Sequence, residues 1–270
     1  MTAPGSDEDG PDTVDSPPAA PADLGRVLVV IPTYDERDSL DPILDRVRDA
    51  LPDGDVLVVD DNSPDGTGAL ADQRAASDER IHVLHRPSKQ GLGAAYLDGF
   101  GWALDHGYDV IVEMDADGSH PADRLPALVD ALRTADLALG SRYVPGGRVE
   151  NWSKVREVIS RGGNLYTRVA LGLPLQDATG GFRAFRASTL KALDLGTVAS
   201  QGYCFQVDLA RRALARGLTV VEVPITFVER AAGTSKMSRQ ILVEALWRVT
   251  VWGAQERLES WRRRSSARQD

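Results

Sequence analysis

From Arg26 onward, short runs rich in Val, Ile and Leu alternate with stretches of helical periodicity, and this alternation restricts the fold more than any other property of the chain. Val27 to Pro32 precedes a helical pattern over Ser39 to Ala50, Val56 to Val59 precedes one over Thr67 to Ala76, and Ile81 to Leu84 precedes one from about Gly93 to Asp105. Val110 to Met114, a helix near Arg124 to Arg133 and Leu137 to Leu139 continue the series. Strands and helices that take turns predict an α/β fold, a mostly parallel sheet flanked by helices. The second half adds a helix near Arg156 to Leu171, the segment DATGGFRAF, a helix over Phe205 to Arg216, a strand over Val220 to Phe227 and a last helix from about Ser238. Ligands bind such sheets beyond the carboxyl ends of the strands. The polar segments PTYDE (32–36), DDNSPDGT (60–67), DADGSHP (115–121) and GSRY (140–143) stand there, so four strand ends converge on one rim.

The formal charge of −9 argues against a general nucleic-acid binder. Residues 1–24 hold six acidic and no basic side chains, many prolines and no apolar period, which predicts a disordered acidic leader rather than a secretory signal. A run of about 18 apolar residues, the length of a membrane-crossing helix, is absent. The single cysteine, Cys204, excludes an internal disulfide and reads as a small buried hydrophobe between Tyr203 and Phe205. Three segments result: the leader (1–24), a folded α/β domain (25–238), and a C-terminal amphipathic helix with a basic tail (239–270).

Familiar phosphate loops are missing. There is no G-x-x-x-x-G-K-[ST], and GLGAAY at 91–96 lacks the third glycine of a dinucleotide fingerprint. Lys89, beside it, reaches a phosphate or is simply solvated. In DADGSHP, Asp115 and Asp117 are carboxylates close enough to repel unless a cation sits between them. Either the loop is solvated, or it holds Mg²⁺ or Mn²⁺ shared with substrate phosphates. His120, next to a proline, shapes the loop. Asp60 and Asp61 offer a carboxylate to the N1 and N2 protons of guanine or the N3 proton of uracil, with an Asx-turn as the alternative. Pro32, Tyr34 and Glu36 line a strand end or form a capped helix start.

VVIPTYDE, VVDDNSPDGT, GLGAAY, EMDADGSHP, GSRY, SRGGN, TGGFRAF and VPITFVERAAGTSKMS follow one another as they do in the polyprenyl-phosphate (dolichol-phosphate) mannose synthases, inverting glycosyltransferases of GT-A type, which this chain resembles from about Arg26 to Ser238. The resemblance implies transfer of mannose from GDP-mannose to a polyprenyl phosphate. It implies nucleotide contacts at Pro32, Tyr34, Glu36, Val59 and Asp61, and a metal pair of Asp115 and Asp117 beside the Ala116 backbone. Arg142, Arg156 and Ser160 correspond to the site of the lipid phosphate, and Arg230 and Lys236 to a basic loop that closes over the donor. Asp117, Arg142 and Arg156 are the residues it places closest to the reaction. Planar guanidinium groups suit phosphate oxygens, so the residue chemistry agrees. Arg161, Arg183 and Gln206 also have structural readings.

Residues 239–270 carry seven arginines against four acidic groups, with Leu242, Leu246, Val249, Trp252 and Trp261 among them. A packing helix with a solvated tail is one reading. The other is peripheral attachment to the cytoplasmic face of the membrane or to a membrane-embedded partner protein. Related transferases of glucose or another sugar, and a sugar-nucleotide-binding regulator without turnover, share the acidic motifs. A glycosidase also uses paired carboxylates but has no need of guanosine and lipid-phosphate motifs.

Overall fold

The computed structural model describes residues 24–198, 203–229, 246–255 and 257. The acidic leader up to residue 23, Arg230, Lys236 and most of the basic tail lie outside them. The first half is a run of β–α units: β1 (Val27–Thr33), α1 (Arg37–Ala50), β2 (Asp55–Asp60), α2 (Thr67–Ser77), β3 (Ile81–His85), α3 (Leu92–Asp105) and β4 (Val110–Glu113). A helical stretch with α4 (Leu125–Asp130) at its centre leads to β5 (Leu137–Ser141). Then follow β6 (Arg148–Glu150), α5 (Lys154–Leu171), β7 (Arg183–Arg186), α6 (Ala187–Ala192), α7 (Tyr203–Ala215), β8 (Val220–Pro224) and β9 (Thr226–Val228). Residues 246–255 form a further helix, α8.

The main sheet has the order β3-β2-β1-β4-β7-β5-β8, parallel except for β7, which runs against both neighbours. The expected mostly parallel sheet is present. The single strand expected over Val220 to Phe227 is instead two. Pro224 carries no N–H for a ladder, and just beyond it the chain leaves β5 and pairs with β6 in a separate ribbon.

Successive strand residues point to opposite faces, and both faces are covered. Val29, Ile31, Val56, Val58 and Val112 pack with Leu40, Ile43 and Leu44 of α1 and with Leu125 and Leu128. Leu28, Val30, Leu57, Val59 and Ile111 pack with Tyr96 and Phe100 of α3 and Phe205 and Leu209 of α7. Each such side chain, once fully buried, contributes roughly 1.5–3 kcal/mol. Gly99 sets the closeness of α3 to the sheet, since a Cβ there would lie 2.5 Å from Val30 Cγ1.

α8 packs on α5. A Cβ at Gly253 would stand 2.5 Å from the carbonyl oxygen of Ala170, and Tyr166 Oη lies 2.6 Å from Thr250 Oγ1. Trp252, one of the apolar residues of the C-terminal segment, is half-buried against the core with the Arg211 guanidinium 5.1 Å above its ring. The large apolar side chains that α8 exposes are Leu246 and Trp247. No helix among the described residues is long and apolar enough to cross a membrane.

Candidate active site

β1 leads to β2 and β3 on one side, while β4 lies on its other side, so the strand order reverses between β1 and β4. A crevice opens above such a reversal. Thr33 and Asp60 are register partners, so the loops after β1 and β2 leave the sheet side by side. They are stitched together: Asp35 N–H donates to Ser63 Oγ (3.2 Å), Glu36 N–H to Thr67 Oγ1 (3.1 Å) and Arg37 N–H to Asp65 Oδ2 (3.1 Å). Glu36 stands at the N-cap of α1, where its side chain caps no backbone N–H and its carboxylate accepts from Ser39 Oγ at 3.0 Å. Pro32 is half-buried at the strand end, and Tyr34 lies beneath the Lys89 ammonium, 3.6 Å from the ring centroid. The Val59 side chain belongs to the core, leaving only its main chain to face the crevice.

The two neighbouring aspartates at the end of β2 divide the roles that the sequence left open. Asp60 accepts from Thr33 Oγ1 (3.1 Å), Ser63 Oγ (2.6 Å) and Ser63 N–H (3.2 Å) and so braces the loop, while the Asx-turn is made by Asp65, whose Oδ1 accepts from Thr67 N–H at 3.0 Å. Asp61 points elsewhere. One of its carboxylate oxygens is held by the buried Arg86, whose Nε donates to Asp98 Oδ2 at 2.6 Å. The other accepts no hydrogen bond from the described residues. A carboxylate fixed on one side and open on the other is suited to reading a base edge.

Beyond β4, Asp115 Oδ1 accepts from Tyr96 Oη at 3.1 Å, while its N–H donates to His120 Nδ1 at 3.0 Å. The neutral His120 ring then carries its proton on Nε2, 3.9 Å from Asp115 Oδ2. His120 is buried and shapes the loop, as expected. Asp117 Oδ1 accepts from Ser119 N–H at 3.0 Å, and the chain turns between them at Gly118, whose φ of +75° suits glycine. Ala116 is buried between the two carboxylates. Beneath them, Glu113 is fully buried, and burial pushes its pKa up to about 8 although the Arg183 guanidinium pulls it down. The Gln206 amide lies near enough to lower that value too, yet neither Glu113 oxygen has a hydrogen bond of acceptable geometry among the described residues.

Arg142, Arg156 and Ser160 meet at one cavity, whose walls include Ile159, Val207 and Val249. Arg142 follows β5 and grips the buried Asp177 through Nε (2.7 Å) and Nη2 (2.6 Å), with Thr179 Oγ1 3.0 Å from Nη2. Burial alone would raise the Asp177 carboxyl, but Arg142 outweighs it and holds the group below the usual carboxylate range. Arg156 lies 4.2 Å over the Trp152 ring and pairs with Glu229, while Ser160 Oγ accepts from Tyr143 Oη at 2.7 Å. Aromatic rings join this cavity to the aspartate loop: His120 is 5.7 Å from Phe227, and Phe227 is 5.4 Å from Trp152.

The model of the family described as Glycosyl transferase family 2 matches residues 28–194. The chain belongs to that family. It is a glycosyltransferase, and the family match contains all four rim segments and α5. The chain is 58% identical over 239 residues, 88% of its own length and 98% of the relative's, to a protein named undecaprenyl-phosphate mannosyltransferase from Micrococcus luteus. It is 53% identical to a polyprenol monophosphomannose synthase of Mycolicibacterium smegmatis, over 96% of this chain and 97% of that one. Among solved structures, it resembles glucosyl-3-phosphoglycerate synthase from Mycobacterium tuberculosis in complex with Mn²⁺, uridine diphosphate and phosphoglyceric acid. That match has a TM-score of 0.60 at 22% identity, covering 83% of this chain and 78% of the other, and it bears on the fold, which is of GT-A type.

For a family 2 glycosyltransferase the donor set at Asp115 and Asp117 fits a hard cation shared with substrate. No cluster of three or more His, Cys, Asp or Glu able to hold a metal occurs among the described residues. Two carboxylates with phosphate oxygens completing the shell are how such ions are commonly held. The buried Ser119 Oγ, without a partner among the described residues, is a further oxygen beside them. Sequence reasoning missed Ser119, Tyr96, Arg86, Asp177 and Trp152. Tyr96 and Asp177 lay inside the quoted motifs, but their partners are distant in the chain. Arg183 proves structural: it is buried and donates to the carbonyls of Gly180 (2.8 Å), Ala178 (2.7 Å) and Gln206 (2.6 Å).

Proposed function

We propose that this glycosyltransferase moves mannose from GDP-mannose to a polyprenyl phosphate, with inversion, at the cytoplasmic face of a membrane. The observation that carries this reading is the cavity in which Arg142, Arg156 and Ser160 share walls with apolar side chains, because an anionic head on a hydrocarbon tail asks for both. The names of the relatives support the same acceptor class and sugar. On the donor side, Asp61 accepts from the guanine edge, and Pro32, Tyr34 and Glu36 flank the nucleoside. Asp115 and Asp117 would hold Mg²⁺ or Mn²⁺, which when bound would supply positive charge to offset that on the departing diphosphate. Arg230 and Lys236, outside the described residues, are assigned to the same task.

No general base is required. A phosphate monoester has its second pKa near about 6, so at neutral pH the attacking oxygen has no proton to lose. What the chain supplies is alignment and relief of repulsion between two anions, by Arg142 and Arg156 with Ser160 as a neutral donor. Attack from the face opposite the diphosphate inverts the anomeric centre.

Membrane attachment is assigned to α5. Val155, Val158, Leu165 and Val169 are exposed along it, next to Leu246 and Trp247 of α8. The helix that supplies Arg156 and Ser160 thereby turns an apolar stripe outward, as an interfacial helix does. Incubating the purified protein with radiolabelled sugar nucleotides, a divalent cation and a polyprenyl phosphate tests the reading. Label from GDP-mannose in the lipid fraction supports it; label only from another sugar nucleotide, or none, overturns it.

A further inference from the structure

Arg142 stands just after β5, whereas Arg156 and Ser160 stand on α5, so the phosphate site exists only while that helix keeps its place relative to the sheet. Apolar packing does not fix this part of the helix. Val155, Val158, Ile159, Leu165 and Val169 are exposed, and of the three buried residues of α5, Asn164, Thr167 and Leu171, only the last is apolar and joins the core. The turns that carry Arg156 and Ser160 are therefore held by polar contacts. Arg156 pairs with Glu229 and Ser160 with Tyr143, but both are groups that an arriving phosphate engages. Asn164, one turn beyond Ser160, makes contacts that stay.

The Asn164 amide is buried, and three acceptors lie around its Nδ2: Thr179 Oγ1 at 3.0 Å, the Ser160 carbonyl at 3.2 Å and Asp177 Oδ1 at 3.3 Å. Two of them are the groups that hold Arg142, since Asp177 Oδ1 and Thr179 Oγ1 accept from its Nη2 at 2.6 and 3.0 Å. The third is the main chain of Ser160 itself. One side chain thus joins the arginine after β5 to the helical turn that presents Ser160. Asparagine is a poor residue for a helix interior, and its Oδ1 has no partner among the described residues, so the position is costly apart from what Nδ2 does.

We propose that Asn164 is a positioning residue of the acceptor site: through Thr179 and Asp177 it sets the spacing of Arg142 from Arg156 and Ser160, so that both arginines meet one phosphate. The inference rests on the acceptor placement proposed above. The test is a double-mutant cycle in the full chain, with wild type, Asn164→Ala, Arg156→Ala and the double variant. It reads kcat and KM for polyprenyl phosphate at saturating GDP-mannose, with calorimetric titration of GDP. Asn164→Ala should lower kcat/KM for the acceptor about 10- to 100-fold, the scale of a misplaced reactant, with GDP affinity unchanged. About 12 Å of helix separates the two positions, and changes that far apart ordinarily add. Here they should not: the roughly tenfold penalty of Arg156→Ala should shrink below about threefold once Asn164 is replaced. A full Arg156→Ala penalty on both backgrounds, or wild-type acceptor kinetics for Asn164→Ala, would overturn the proposal. Should Asn164→Ala fail to fold, Thr179→Val and Thr179→Ser go through the same cycle. The valine should show the losses expected of Asn164→Ala, and the serine, which keeps the hydroxyl, should restore acceptor use; equal behaviour of the two would overturn the proposal. An Arg156→Ala protein whose acceptor kinetics match the wild type instead removes the acceptor-site reading, and the proposal falls with it.

Discussion

On the β1–β2–β4 side of the cleft, carboxylates project from short loops whose main chain is tied by Ser63, Thr67 and Asp65, and the charges of Asp115 and Asp117 stand close together with one tyrosine and one histidine beside them. Across the cleft, Arg142 and Arg156 lie on aromatic rings, each already paired with a carboxylate, and a long helix exposes apolar side chains to the surroundings. The first side gathers carboxylates and gains from a cation shared with a diphosphate. The second is nearly neutral before ligand arrives and gains from shape, burial and a few oriented donors. The difference predicts that substitutions on the donor side act on binding of metal and nucleotide, and those on the acceptor side on packing and lipid use.

The largest effect is expected at Asp117. Asp117→Ala should lower transfer by about 10³-fold or more, the scale of losing a central electrostatic contact in a transition state. Titration of Mn²⁺ in the presence of GDP should show the affinity falling with it. Unchanged Mn²⁺ affinity would detach the aspartate pair from the metal.

Beneath the two sides lie two buried carboxyls with opposite pH behaviour, which sharpens the contrast. Glu113, under the donor side, has its pKa raised from 4.5 to about 8 by burial. The folded state therefore holds a proton that the unfolded state releases, and this stability is full below 4.5 and lost as pH rises to about 8. Asp177, under the acceptor side, is held below its ordinary value of 3.8 by Arg142. Its contribution is present above 3.8 and lost as pH falls through the lowered pKa. Glu113→Gln should flatten the fall of Tm between pH 5 and 8, on the order of a few kcal/mol in stability; an unchanged profile means that Glu113 is ionised and paired. Asp177→Asn should destabilise the fold by about 3 kcal/mol, because it removes the carboxylate charge that grips the buried Arg142 guanidinium, as denaturant unfolding would measure.

Much of this architecture can be read from the order of residues, and the exceptions have physical causes. Alternating runs identify strands buried on both faces, so β1 to β5 and the helices between them were expected. The direction of β7 was not, because RAFR has the same two-residue period whichever way it runs. Pairing of β9 with β6 depends on where Pro224 interrupts a ladder. At the site, residues after strand ends were legible as a rim, whereas the division of labour between Asp60 and Asp61 depends on Ser63 and Arg86, whose contacts form only in the folded chain. Identical neighbours in sequence point to opposite sides of a strand end.

Arg156 offers a smaller effect that tests the two-sided division directly. Its guanidinium is about one-quarter exposed and stacked on Trp152, so Arg156→Ala removes a donor without emptying the core. The KM for polyprenyl phosphate should rise about tenfold, the scale of one charge-assisted hydrogen bond, while calorimetric affinity for GDP-mannose stays unchanged. Loss of donor affinity with an unchanged acceptor KM would place Arg156 on the other side of the cleft.

The smallest effect concerns the outward face of α5. Val158 and Val169 are 68% and 66% exposed, so replacing them leaves the packing of Asn164, Thr167 and Leu171 intact. Burying a valine in the headgroup region is worth about 1 kcal/mol or less after partial immersion. Val158→Asp with Val169→Asp also brings two negative charges toward anionic lipid, and each such change near the surface costs on the order of 1 kcal/mol. Together these should weaken sedimentation with vesicles of anionic phospholipid several-fold, with a water-soluble short-chain polyprenyl phosphate still used at the wild-type rate. The second measurement separates docking from catalysis: a loss of both would mean that α5 had been distorted. Vesicle binding equal to wild type would mean that the stripe faces another partner and that attachment lies elsewhere in the chain.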